Sequence, residues 1–244
     1  MAEAGPGKIR LFNDFFGGNA LANTLDASNM GDFYAGGESH ETTSGGVAPA
    51  SFLSGCVAIT SDNTDADTVF IGTGIGFDVA LNGPIICETR VQMPDVDTKE
   101  IFFGITSILT PDEQLQDILI NSSATVVTLT ADLAGFYFSD ELTASATDWH
   151  GVHAGGSTAD GATAADITLG ATVTAGEFQI LRLEVDTNGT VRWLVDGDVK
   201  KTVVGAVSTT TDVAVCLAAA ANTTQAAIIQ VDYLLVKANR DWTV

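Results

Sequence analysis

Residues 177–204 read EFQILRLEVDTNGTVRWLVDGDVKKTVV, and the fold class follows from them. Over 177–186 polar and apolar side chains alternate, placing Gln179, Leu181, Leu183 and Val185 on one face, as in a half-buried strand. Asn188-Gly189 then predicts a two-residue type I′ turn, in which both central positions need φ > 0. Residues 190–195 (TVRWLV) form the return strand, and Asp196-Gly197 turns the chain into a third strand over 199–204. Trp193 shares a face with Val191 and Val195, which makes it a core residue. The segment is a three-stranded antiparallel meander.

The same period continues outward from this meander. In 84–93 (PIICETRVQM), Ile86, Glu88, Arg90 and Gln92 share one face, and Ile85, Cys87, Thr89, Val91 and Met93 the other. Shorter strands are expected at 8–16, 33–34, 51–53, 56–60, 67–73, 100–107, 124–130 and 135–138, and closing strands at 212–217 and 227–238. Pro111 followed by Asp112 and Glu113 predicts one helical turn within 111–119. Residues 139–170, rich in Ala, Gly, Ser, Thr and Asp, read as one long loop, and residues 1–8 as a flexible arm. Twelve to fourteen short strands joined by Gly, Asn and Asp turns predict an all-β sandwich or jelly roll with almost no helix, as a single domain over 9–244.

The 244 residues are 45% hydrophobic, with mean hydropathy +0.25, enough to bury a core without disulfides or a metal. Ten Lys and Arg stand against 31 Asp and Glu, and the resulting charge of −21 repels nucleic-acid backbones. No basic segment leading into an apolar run opens the sequence, and no apolar run approaches the length of a bilayer span, so neither a secretory signal nor a membrane partner is expected. Cys56, Cys87 and Cys216 are far apart in apolar text and read as buried reduced thiols.

Residues 176–201 resemble the meander of concanavalin A-like, or laminin G-like, jelly-roll domains: a strand, an Asn-Gly turn, a strand with an aromatic, then Asp-Gly. ETRVQMP (88–94) ahead of EIFFGITS (100–107) resembles that family's E-x-R-V … G-I strand pair. VDYLLVK (231–237) resembles its closing strand, and Asp14-Phe15-Phe16 its entry, so the resemblance covers residues 8–244. It implies a fold rather than an activity. In format the chain also resembles structural proteins of tailed bacteriophages, being acidic and rich in Ala, Thr and Gly. That resemblance implies a virion component made in the host cytoplasm: a capsid decoration protein that binds the major capsid protein as a homotrimer or homodimer and cements the shell. The alternative is a carbohydrate-binding module or tail-fibre protein that recognises host glycans.

Glycosidases of this fold carry a Glu-x-Asp-x-x-Glu strand whose two glutamates flank the scissile bond. Here Glu184-Val185-Asp186 matches the first half, but Gly189 stands where the second glutamate belongs. The chain is therefore expected to be no enzyme and to need no cofactor. Lectin-type metal ligands after Glu184 are likewise not found in the hairpin that follows. Asp148, His150 and His153 offer ligands of the kind zinc prefers, against a reading as surface-loop histidines beside an anchoring Trp149. His40, between Glu38 and Glu41, also reads as a loop residue. Asp62, Asp65 and Asp67, with the pairs Asp95/Asp97 and Asp196/Asp198, offer oxygens without EF-hand spacing and read as solvated turns. Gly72-Thr73-Gly74-Ile75-Gly76 lacks the Lys-Ser/Thr of a phosphate-binding loop. Trp149, His150, His153 and Trp242 are the expected contacts to a glycan or partner.

Overall fold

The computed structural model describes residues 7–16, 27–42, 44–52 and 55–241. The chain begins with β1 (Lys8–Asn13), β2 (Ser28–Met30), β3 (Phe33–Gly36), β4 (Gly46–Pro49), β5 (Val57–Thr60), β6 (Thr68–Gly72) and β7 (Phe77–Asp78). A one-turn helix, α1 (Val79–Asn82), leads into β8 (Ile85–Gln92) and β9 (Lys99–Thr106). A second, α2 (Leu115–Ile118), precedes the hairpin of β10 (Leu119–Ser123) and β11 (Val126–Leu129). Then come β12 (Leu133–Ser139), β13 (Asp148–Ala154), α3 (Ala164–Ile167) and β14 (Thr168–Thr172). The chain closes with β15 (Gln179–Val185), β16 (Val191–Val195), β17 (Asp198–Val203), β18 (Asp212–Ala221) and β19 (Ile228–Asn239).

Seventeen of these strands make two antiparallel sheets, and β10 and β11 pair only with each other. The front sheet runs β17-β16-β15-β8-β19-β5-β4, with β1 also paired to β19. The back sheet runs β14-β13-β12-β9-β18-β6-β3-β2, with β7 paired to β18. The core lies between them. The front sheet contributes Ile85, Cys87, Leu181, Leu183, Val191 and Trp193, and the back sheet Ile101, Phe103, Phe136, Trp149, Val215 and Leu217. On the front sheet the alternation read from the sequence holds: the residues between these point outward and are half-buried.

The back sheet is different, because its outer face is covered as well. Phe102, Tyr137, Val152, Ala214, Cys216 and Ala218 pack beneath Leu115, Ile118, Leu119, Val127, Leu142 and Ile167, which come from α2, the β10–β11 hairpin, α3 and the segment after β12. The strands β9, β12 and β18 are consequently buried along almost all of their length. Gly135 makes room in this layer: a Cβ there would lie 2.6 Å from the Phe102 ring.

Several expectations need correction. Residues 139–170 are not one loop, since β13, α3 and most of β14 lie within them. The composition is loop-like, but burial on both sides holds Asp148–Ala154 in the sheet. Residues 51 and 52 are outside any strand, and β4 precedes them. The nineteen strands among the described residues exceed the expected count, the surplus being pieces such as β2 and β7, too short to show a period. The first hairpin turn also differs from expectation. Gly189 N–H bonds to the Asp186 carbonyl, and only Gly189 takes a positive φ (+76°), so the first connection spans three residues. Asp196 and Gly197 both take positive φ (+52° and +88°) between the paired residues Val195 and Asp198, and they form the two-residue turn. Lys8 already belongs to β1, and residues 1–6 of the expected arm lie outside the described residues.

Candidate functional site

The outer face of the front sheet is the open face of the sandwich, and it is polar. Arg90 and Glu88 project from β8, Arg182 and Glu184 from β15, and Arg192 from β16. The pairing of β19 with β8 shifts between Val231 and Tyr233, so Asp232 is an extra residue in the ladder. This bulge lets both Asp232 and Tyr233 reach partners on β8. Arg90 Nη1 lies 2.7 Å from Asp232 Oδ2, and the Tyr233 hydroxyl donates to Glu88 Oε1 at 2.8 Å. Burial, and then the Glu88 carboxylate it bonds, push the Tyr233 hydroxyl well above the usual phenol range, so it stays a donor.

Arg182 holds two carboxylates at once. Its Nη1 is 3.3 Å from Glu88 Oε2, and its Nη2 is 2.7 Å from Glu184 Oε1. Arg192 Nη2 lies 2.8 Å from Asp186 Oδ2, and that bond raises the arginine further above its ordinary value. The second carboxylate missing from the β15 motif thus has a counterpart on the neighbouring strand, Glu88, which register places opposite Arg182. The two are tied by one guanidinium.

Beside the bulge this lattice opens into a groove of about 380 Å³, lined by Ser51, Phe52, Gly55, Arg90, Phe178 and Asp232. The Arg90 guanidinium stands 4.2 Å from the centre of the Phe178 ring, a cation–π contact. Phe52 meets Phe178 edge-to-face at 5.5 Å and is 40% exposed. A second groove, around Gly156, Ser157, Asn188 and Thr209, is lined by neither an aromatic nor a charged side chain. Only the first combines rings, a fixed ion pair and an open mouth, the features of a recognition pocket.

The residues singled out from the sequence lie elsewhere. Trp149, His150 and His153 are buried on β13 and present nothing to solvent, Trp149 and His153 because they face the core and His150 because the outer face of the back sheet is covered. Trp149 Nε1 donates to Gln179 Oε1 at 2.9 Å. His150 Nε2 is 3.3 Å from the Ala144 carbonyl, and the His153 ring faces Trp193 at 6.0 Å. Burial lowers the pKa of both histidines, with Lys201 adding to the effect at His153. Trp242 lies outside the described residues. His40 is buried too, its Nε2 3.2 Å from Ser28 Oγ.

The candidate cation ligands have structural partners. Asp67 accepts from Thr64 N–H, Asp95 pairs with Lys99, and Asp196 accepts from Ile180 N–H. Among the described residues no group of three or more His, Cys, Asp or Glu is arranged to hold a metal ion. The sequence did show Arg90 and Glu88 sharing a face, but the bulge that brings in Asp232 leaves no mark in the alternation.

The three cysteines are buried free thiols, as expected. Burial raises all three pKa values, Cys56 to about 11. A thiol-reactive disulfide reagent is expected to label none of them within minutes in the native protein and all three in denaturant. Rapid native labelling would show that a strand opens on that timescale.

Neither a family model nor a curated protein sequence matches the chain. Solved structures do. A protein of unknown function from Shewanella oneidensis MR-1 is 14% identical, with 98% of this chain and 90% of that one covered and a TM-score of 0.57. The β-glucanase of Bacillus licheniformis is 11% identical, covering 93% and 97%, with a TM-score of 0.54. The carbohydrate recognition domain of Emp46p is 10% identical, covering 93% and 97%, with a TM-score of 0.53. At these identities the likeness is one of fold: the chain is an all-β jelly-roll sandwich of the concanavalin A-like kind.

Proposed function

We propose that the protein is a carbohydrate-binding jelly-roll domain without catalytic activity, and that the groove at Phe52, Phe178, Arg90 and Asp232 is its binding site. One observation carries this reading: an exposed aromatic ring stands beside a preformed arginine–carboxylate pair in an open groove. A pyranose offers an apolar C–H face and a rim of hydroxyls. Phe52 suits the first, and Asp232 and Arg90, as acceptor and donor, suit the second. The non-enzymatic part is supported by Arg182. Glycoside hydrolysis needs one carboxyl as acid and another as nucleophile or base. Glu88 and Glu184 are instead bound to the same guanidinium. A β-glucanase and a carbohydrate recognition domain share the fold, which is in keeping with the reading.

Titration calorimetry against soluble polysaccharides tests it. Phe178→Ala and Asp232→Asn are each expected to weaken binding roughly tenfold or more, the effect of losing a central contact. Their melting temperatures should stay close to wild type, and no reducing ends should appear on incubation. Release of reducing sugar would overturn the non-enzymatic half. A blank series, together with saturable co-sedimentation on phage capsids lacking the protein, would replace this reading with the shell-decorating one implied by the sequence format.

A further inference from the structure

Each arginine on β8, β15 and β16 is matched by acid. Arg90 Nη1 stands 2.7 Å from Asp232 Oδ2. Arg182 is shared by Glu88 and Glu184, and Arg192 is held by Asp186. On the edge strand β17, Lys200 lies 3.7 Å from Asp198. Around the groove three arginines thus meet four carboxylates, on a chain of net charge −21. This part of the face has no positive charge to spare. The basic edge at β1 lies outside the lining of the groove; there Lys8 is bonded to Asn239, and the Asp32 carboxylate accepts the Phe12 N–H at 3.0 Å.

At the groove itself one residue sets the balance. Asp232 is the extra residue of the β19 bulge, so the same irregularity that breaks the alternation brings a carboxylate to Arg90. Without it the Arg90 guanidinium, stacked on the Phe178 ring, would be open to an acidic sugar. The Arg90 side chain is 40% exposed and borders the groove, whereas that of Asp232 is 18% exposed. An acidic sugar has two ways in. It can displace Asp232 from Arg90, which leaves a largely buried carboxylate without its cation. Or it can lie beside Asp232 and meet like charge at contact distance, well inside the screening length of about 8 Å at physiological ionic strength. A cationic sugar meets Arg90 instead. An uncharged pyranose meets neither penalty, and it uses the pair as donor and acceptor.

We infer that the ligand is an uncharged polysaccharide and that Asp232 is the specificity-determining residue, rejecting acidic sugars by occupying Arg90. The inference rests on the carbohydrate-binding reading and adds the ligand's charge and the residue that sets it. Discrimination then comes from a built-in repulsive element as much as from attractive contacts.

The test compares the neutral polymers dextran, mannan and laminarin with the acidic polymers polygalacturonate and alginate, at low and at physiological salt. The proteins are the wild type, Asp232→Asn and the double variant Arg90→Gln/Asp232→Asn. The wild type should bind at least one neutral polymer roughly tenfold or more above either acidic one, with an affinity that salt hardly changes. Asp232→Asn should gain roughly tenfold or more on an acidic polymer at low salt, while losing affinity for the neutral one. That gain should fall at physiological salt and vanish in the double variant, which identifies Arg90 as the freed group. The wild-type salt response needs no variant, so it decides the ligand's charge even if a variant melts early. A wild type that binds acidic polymers as tightly as neutral ones, or a folded Asp232→Asn that gains nothing on them, overturns the inference and leaves the groove as a sugar site. No binding of any polymer by any of the proteins removes the carbohydrate reading itself.

Discussion

Replacing Glu100 with glutamine is expected to stabilise the fold by up to about 5 kcal/mol at pH 9 and hardly at all at pH 4. Glu100 lies on β9 facing the covered side of the back sheet, only 4% exposed. Its Oε2 has no hydrogen-bond partner. Burial pushes the carboxyl up to about 8. Glu141, Asp65 and Asp140 add repulsion, and the Tyr137 hydroxyl acts the other way. A buried carboxyl with few partners is more easily kept neutral than charged.

The folded state therefore holds this proton between the ordinary glutamate value, near 4.5, and about 8, where the unfolded chain has released it. The stability Glu100 contributes is complete below 4.5 and is lost as the pH rises through 8. Glutamine keeps the shape and has no charge to bury, so its advantage grows over the same window. His40, His150 and His153 act in the opposite sense. Burial lowers their pKa values, so their contribution is present above 6.5 and falls away in acid. Wild-type stability should peak between these limbs, and Glu100→Gln should lift only the alkaline one. Urea denaturation at pH 5, 7 and 9 measures this. An equal effect at all three pH values would mean that Glu100 is not held neutral.

The front sheet was readable because one of its faces is wet. Leu181, Leu183 and Val185 alternate with Ile180, Arg182 and Glu184, so period 2 reported both the strand and its orientation. The back sheet was less readable because its second face is covered by segments distant in sequence. In β13, Trp149 and His153 face the core while His150 and Val152 lie under the cover, and no alternation survives. A strand of that kind, set in Ala, Gly and Thr, looks like a loop, and its histidines look exposed. What hides them is the packing of α2, α3 and the β10–β11 hairpin, a long-range fact that local pattern does not carry.

The site divides along the same line. Arg90, Glu88 and the aromatic residue Phe178 stand in strands or at strand ends whose faces could be assigned from alternation. Asp232 could not be placed, because a bulge adds one residue and breaks the count. The missing partner of Glu184 was sought five residues further along its own strand motif. Pairing supplied it instead across the sheet, from Glu88, ninety-six positions earlier in the chain. Contacts between strands are fixed by register, which depends on the whole sheet.

Trp193→Ala is expected to cost about 3–5 kcal/mol, a large share of the stability of a domain this size. Trp193 is fully buried at the centre of β16. Its Nε1 donates to the Gly135 carbonyl at 2.8 Å, joining the front sheet to the back one across the core. The ring also rests against Gly151 of β13, where a Cβ would lie 3.3 Å from two of its atoms. Alanine would leave a cavity between the sheets and strip a buried carbonyl of its donor, which costs about 1–3 kcal/mol by itself. Phenylalanine refills part of the volume without the donor, so Trp193→Phe should fall between alanine and wild type. Gly151→Ala tests the same contact from the opposite side: its methyl group must displace the indole or Leu169, which lies 2.9 Å from the added carbon. Urea titrations of the three variants give the ranking. A loss below about 1 kcal/mol for Trp193→Ala would mean that the two sheets close over the gap, and that the indole bond to Gly135 does not hold them in place.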